Sequence, residues 1–242
     1  GSGHQHIADP GRAYGVRAAE NGQKRGDLRS RALGFTGIMD ICVIIAAAGA
    51  STRMGGAGSK ALADLAGRPV LLHSIEFFSR RAEVSSIIVA AAATDMAAMR
   101  HICLPWGRVR VLAGGLSRAA SVAAALKAAP ETVTHIAVHD AARPLLSERD
   151  WLALLAALDR APAAILAAAP IDSLKRRDAQ GWISEHLDRN CLAAAQTPQI
   201  FAAGLLRQAY AAAGDNAAAT DDAALVTALG APILAVMAQD EN

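Results

Sequence analysis

Six short apolar runs, at residues 41–46, 86–92, 108–112, 135–139, 163–168 and 232–237, alternate with stretches long enough to be helices. Between them, 69–80 opens on a proline and places Leu71, Ile75 and Phe78 at spacings of four and three, the signature of an amphipathic helix. Residues 117–129 and 147–160 also read as helices, the second opening with Ser147 and Asp150 as a capping box. Such alternation predicts an α/β fold, Rossmann-like, with a mainly parallel sheet and helices on both faces. Ligands of these sheets bind beyond the carboxyl ends of the strands, so the segments after each strand are where function is expected.

The rhythm is broken twice. Residues 1–38 carry eight glycines and little apolar periodicity, and read as a flexible leader or tag, with Met39 as the natural start of a 39–242 domain. Residues 170–199 are polar, contain "DSLKRRDAQGW", and read as a projecting arm or hairpin. Beyond them, Thr220 is expected to cap a short helix with Asp221 and Asp222 in its first turn, where negative charge suits the helix dipole.

Composition narrows the classes of function. Of the charged residues, six basic and three acidic ones fall in 1–38, leaving 18 basic against 19 acidic in the remainder. A nearly neutral body gives no electrostatic ground for nucleic acid as the main partner. No apolar run approaches the roughly 20 residues of a membrane span. Three scattered cysteines, Cys42, Cys103 and Cys191, lack metal-ligand spacing and are expected to be buried free thiols of a cytoplasmic protein.

The stretch "AAAGASTRMGGAGSK", from Ala46 to Lys60, follows the first apolar run. It is no Walker loop, because Lys60 stands between Ser59 and Ala61 rather than between glycine and Ser or Thr. Nor is it a dinucleotide fingerprint, whose glycine positions hold Gly49, Ser51 and Met54. What remains is a strand, a turn of small residues, Arg53, and Lys60 seven residues on. Ala48, Gly49 and Ala50 allow backbone N–H groups to approach a polyphosphate closely, and two cations offset its charge. A solvated glycine-rich loop is the competing reading, and the other strand ends must decide.

Three such ends carry further patches. "GGLSRAASV" leads paired glycines into a helix bearing Ser121, where backbone amides can read the edge of a base. "VHDAARP" sets Asp140 at the sheet's carboxyl edge, placed to hold Mg²⁺ against phosphate oxygens, with Arg143 three residues on and His139 as a packed strand residue. "LDRN" and "QTPQIF", in the arm, add Arg189 and Thr197. Singly, each has an ordinary reading as turn, cap or surface charge.

Together and in this order, from about Ile41 to Asn242, these patches resemble the 2-C-methyl-D-erythritol 4-phosphate cytidylyltransferase family; "VHDAARP" paired with "QTPQ" is the specific part. The resemblance implies a nucleotidyltransferase-type domain. It implies an enzyme that joins CTP to methylerythritol phosphate, giving diphosphocytidyl-methylerythritol and pyrophosphate in non-mevalonate isoprenoid synthesis. It implies Arg53 and Lys60 as catalytic cations and Ala47, Ala48, Gly49, Gly115, Ser121 and Ala141 around the nucleotide. Asp140 would hold Mg²⁺ and face the acceptor, while Arg143, Ser173, Arg189 and Thr197 would position it. Glu241 is the expected second metal ligand, with Asp221 in reserve. A homodimer is implied, one subunit's arm completing the other's site.

The chain departs from the family pattern at Ser51, Ser59, Leu116 and Ser173, which replace a frequent glycine, proline, polar residue and threonine. It also ends at "AQDEN", where the family continues with a strand bearing a substrate-positioning lysine, as if truncated or cut from a fusion with the pathway's cyclodiphosphate synthase. Two alternatives are a ribitol 5-phosphate cytidylyltransferase and a nucleotide-binding module without catalysis. The second is opposed by Arg53, Lys60 and Asp140 occurring in one chain.

Overall fold

Strand β1 (Ile41–Ala47) organises the computed structural model of the protein, which describes residues 39–49, 59–214 and 221–239. Ile41, Val43 and Ile45 face one core, Cys42 and Ile44 the other, and all five are fully buried. A strand apolar on both sides requires cover on both faces. Helical crossovers supply that cover, and they return the chain parallel to the strand it left.

The remaining strands are β2 (Asp64–Leu65), β3 (Arg68–Pro69), β4 (Val84–Ala91), β5 (Val109–Ala113), β6 (His135–Asp140), β7 (Ala163–Ala168), β8 (Lys175–Arg177), β9 (Ile183–His186), β10 (Ala194–Ala202) and β11 (Leu234–Met237). Seven form one sheet in the order β11-β7-β10-β6-β1-β4-β5, while β2-β3 and β8-β9 are small separate ribbons. Helices α1 (Val70–Ser79), α2 (Met96–Cys103) and α4 (Glu148–Leu158) send Leu71, Phe78, Met99 and Trp151 into the first core. Helices α3 (Arg118–Ala128), α5 (Ala203–Ala213) and α6 (Asp222–Ala228) cover the other face with Val122, Leu206 and Val226. From β1 the chain crosses to β4 and β5, then returns to β6 on β1's other side and leaves for β7. The point of reversal, where such sheets open a crevice, thus lies between the carboxyl ends of β1 and β6.

The expected α/β sheet is therefore present, with strand and helix limits within two residues of those read from the sequence. Helices α2 and α5 lie outside the expected elements. The arm differs most: its last part is not arm at all. Ala194–Ala202 is β10, which enters the middle of the sheet antiparallel to both β6 and β7. Buried Thr197, Gln199, Ile200 and Phe201 draw it there, and only the exposed β8-β9 hairpin projects. Helix α6 is capped by Asp221, whose carboxylate accepts from Ala224 N; Thr220 lies outside the described residues.

Half of the expected capping box forms. Ser147 Oγ accepts from Asp150 N at 3.1 Å, but Asp150 is fully buried and its Oδ1 accepts from Gln239 N at 2.9 Å, tying the end of β11 to α4. Cys42 and Cys103 are buried free thiols, as expected, whereas Cys191 is exposed on the arm's return. Burial pushes both buried thiols up, Cys103 to about 11, so neither is a nucleophile near neutral pH. Among the described residues no helix is long and apolar enough to cross a membrane.

His139 packs from β6 into the first core, edge-on to Phe78 with ring centroids 5.2 Å apart. Its Nε2 lies 2.9 Å from the Arg143 carbonyl and 3.4 Å from Ser74 Oγ, and its Nδ1 lies 3.3 Å from Thr197 Oγ1. Burial drives its pKa from the ordinary 6.5 down to about 4, so the folded protein holds the ring neutral where the unfolded chain would protonate it. The stability this ring contributes is complete above about pH 6.5 and is lost as pH falls from there towards 4, by up to about 3 kcal/mol. Urea unfolding across that range should show wild type losing stability more steeply than His139→Gln. Equal slopes would mean that His139 does not set the acid limb.

Candidate active site

The crevice between β1 and β6 holds a cavity of about 260 Å³. Ala47, Ala48 and Gly49 form one wall as they leave β1, and Asp140 and Ala141 form another. The two strand ends are tied where Ala141 N donates to the Ala46 carbonyl at 3.1 Å. Lys60 stands exposed at the rim on a single 3-10 turn, Lys60–Leu62, whose N-cap Ser59 accepts from Ala61 N through its hydroxyl. A serine thus starts the turn that presents Lys60.

Ser121, on the first turn of α3, completes the wall opposite. Its hydroxyl donates to the Ser117 carbonyl at 2.8 Å and accepts from Gly115 N at 3.1 Å. That contact leaves no room for side chains on the preceding loop: a Cβ on Gly114 would lie 2.7 Å from Ala48 Cβ, and one on Gly115 2.4 Å from Ala120 Cβ. The glycine pair therefore lets the β5-α3 loop close against the β1 turn. Gly115 supports Ser121 without lining the cavity itself.

A second cavity, of about 280 Å³, lies on the other side of Asp140 and is lined by Arg143 and Thr197 together with Gln196, Gln199 and Asp221. Thr197 is fixed because its hydroxyl accepts from Asp140 N at 3.0 Å. Gln199 joins β10 to α6, its Oε1 accepting from Ala223 N at 3.1 Å and its Nε2 donating to Asp221 Oδ2 at 3.0 Å. Asp221, the reserve metal ligand, thus has both oxygens engaged as cap and acceptor.

The structure brings together Ala47, Ala48, Gly49, Lys60, Ser121, Asp140 and Ala141 at one cavity, and Asp140, Arg143 and Thr197 at the other. Ser173 and Arg189 sit exposed on the arm, where Arg189 Nη1 approaches the Ile171 carbonyl, and line neither. Arg53 and Glu241 lie outside the described residues.

Sequence reasoning passes over Arg118, which lines both cavities. Its Nε donates to Asp140 Oδ1 at 2.9 Å and its Nη1 to Asp222 Oδ2 at 2.7 Å. Asp222 is fully buried, and its other oxygen accepts from the Tyr210 hydroxyl at 2.5 Å. Burial alone would weaken the guanidinium's hold on its proton, but Asp222 and Asp140 outweigh it and lock the positive charge. Burial, then Asp222, likewise push the Tyr210 hydroxyl up, so it stays a donor. A signal was present in the sequence: Arg118 follows the N-cap Ser117, and a cation at a helix N-terminus opposes the dipole unless carboxylates meet it.

Asp140 also bears on metal binding. Arg118 takes Oδ1, whereas Oδ2 is 3.9 Å from Arg143 Nε, beyond hydrogen-bonding distance. Mg²⁺ keeps several waters and takes one or two carboxylates beside substrate phosphates, so a single carboxylate at the boundary of the two cavities suits it. Among the described residues no group of three or more His, Cys, Asp or Glu forms an all-protein cage.

Comparison with known proteins gives a consistent result. A profile described as 2-C-methyl-D-erythritol 4-phosphate cytidylyltransferase matches residues 41–242. A protein of that name from Frankia casuarinae is 41% identical over 202 residues, which cover 83% of this chain and 74% of that one. The crystal structure of 4-diphosphocytidyl-2C-methyl-D-erythritol synthase from Anaerococcus prevotii superposes with a TM-score of 0.74 at 26% identity, covering 84% of this chain and 90% of that one. For the 2-C-methyl-D-erythritol 4-phosphate cytidylyltransferase of Thermus thermophilus the TM-score is 0.67 at 32% identity, over 83% of this chain and 90% of that one. With Ala47, Ala48, Gly49, Lys60, Ser121, Asp140 and Ala141 gathered at the reversal point of a matching sheet, the chain belongs to the 2-C-methyl-D-erythritol 4-phosphate cytidylyltransferase family.

Proposed function

We propose that this protein transfers the cytidylyl group of CTP to 2-C-methyl-D-erythritol 4-phosphate and releases pyrophosphate, in the cytoplasm. The observation that carries this reading is the pair of cavities meeting at Asp140: one walled by small residues and Lys60, the other by Arg143 and Thr197. A nucleotide in the first and a phosphorylated polyol in the second would bring the acceptor phosphate to the α-phosphorus. An acceptor oxygen then attacks in line, the α–β bridging bond breaks, and pyrophosphate leaves with the electron pair. Such a step is mostly positioning and charge stabilisation. Lys60 and Arg53 offset charge on the α-phosphate and the leaving group, while Ala48 and Gly49 wall the nucleotide's cavity and Gly115 acts through its hydrogen bond to Ser121. Asp140, with Glu241, would hold Mg²⁺, which when bound neutralises phosphate charge.

We further propose that the protein is a homodimer. On the arm, Ile171, Leu174, Trp182 and Ile183 are exposed, Ile171 at 90% and Trp182 at 75%. Ser173 and Arg189 share that arm and line neither cavity of their own subunit, which suits a role in positioning the acceptor of a partner. Ribitol 5-phosphate offers similar chemistry, so both acceptors belong in the assay.

Pyrophosphate release from Mg²⁺ and CTP should occur with methylerythritol phosphate and not with ribitol 5-phosphate; the reverse pattern would reassign the substrate. Lys60→Ala and Arg53→Ala should each lower kcat about a hundredfold or more, the scale of a lost transition-state donor. Unchanged turnover in either would remove that residue from the mechanism. Trp182→Asp with Ile183→Asp should give a monomer by sedimentation and a raised KM for methylerythritol phosphate, whereas a dimer with native KM would refute the role of the arm.

A further inference from the structure

Asp140 is only one-third exposed and stands at the boundary of both cavities, yet the contact that fixes its carboxylate comes from a residue absent from the expected catalytic set. Arg118 spans two carboxylates with two different nitrogens, Nε to Asp140 and Nη1 to Asp222. The two ends are unequal: Asp222 is fully buried and itself held by the Tyr210 hydroxyl, while Asp140 opens onto the cavities. The anchored end is therefore Asp222, and the carboxylate being steered is that of Asp140.

We propose that Arg118 is a positioning residue for the transfer reaction, a clamp seated on the Asp222–Tyr210 pair that sets the direction of the Asp140 carboxylate. The inference rests on the cytidylyl-transfer reading above. With Oδ1 held by the guanidinium, Oδ2, which lies 3.9 Å from Arg143 Nε, is the oxygen left for the reacting groups, and the Thr197 hydroxyl fixes the Asp140 backbone from the other side. The planar fork matters because a lysine ammonium is a point charge and cannot hold two carboxylates in a fixed mutual orientation.

The test is a double-mutant cycle between Arg118→Lys and Asp140→Asn, read as single-turnover transfer from radiolabelled CTP to methylerythritol phosphate. Lysine keeps a positive charge beside buried Asp222, so the variant should fold and melt within a few degrees of wild type. The expected loss in kcat is about 10- to 100-fold, the range found when a partner orienting a site ligand is removed. CTP affinity by calorimetry should stay within about threefold, and Arg118→Lys should change the residual rate of Asp140→Asn by less than about twofold. Asp222→Asn, which keeps the shape but drops the anchoring charge, should reproduce the loss. Equal fold-losses in the two backgrounds would overturn the proposal, because Arg118 would then act independently of Asp140. A fall in CTP affinity matching the fall in kcat would also overturn it, making Arg118 a nucleotide ligand. If wild type transfers to neither polyol phosphate, the functional reading itself falls and takes the clamp with it.

Discussion

Burial of β1 on both faces is the constraint from which the rest follows. Its five consecutive large or sulfur-bearing side chains divide between two cores, so helices must pack on both sides of the sheet. That condition makes the neighbouring strands parallel, which brings their carboxyl ends to one edge. Ala48 and Gly49, just past β1, and Asp140 and Ala141, at the end of β6, then line one cavity at the point of reversal. Chemistry collects there because backbone groups at strand ends are free to bind ligands, whereas those within the ladder are spent.

Much of this was legible in the sequence because period and length speak for themselves in parallel strands and their crossover helices. Residues of the strand-end motifs, such as Ala48, Lys60, Ser121 and Asp140, could be assigned to one site only when the motifs were taken together, since each singly has an ordinary reading. What the sequence obscured has a physical cause in each case. β10 looks polar because Thr197 and Gln199 are hydrogen-bonding members of a buried strand, and polarity in a linear reading signals a loop. Asp150 looks like half of a capping box until its carboxylate meets Gln239, which lies far along the chain. Arg118 has partners 22 and 104 positions away, so no window of sequence contains its role.

The polar interior of the site is more continuous than its separate motifs suggest. His139, Thr197, Asp140, Arg118, Asp222 and Tyr210 form a chain of contacts running from the first core, past the sheet edge, to α5 and α6 on the other face. Buried charge is tolerated along it because each ionic group meets an opposite charge or a hydroxyl. Such a network costs desolvation energy that an apolar core would not, and its return is definition of geometry rather than stability.

The pairing of β7 with β10 bears on how a site of this kind diversifies. Ala168 and Ala194 are direct partners in the ladder, so the segment between them leaves and rejoins the sheet at the same rung. Lengthening or shortening that excursion alters closure entropy only logarithmically and shifts no strand in register. The excursion therefore behaves as a cassette: evolution can rewrite its sequence and reach, and with them what it grips, while the sheet that holds the reacting groups stays as it is.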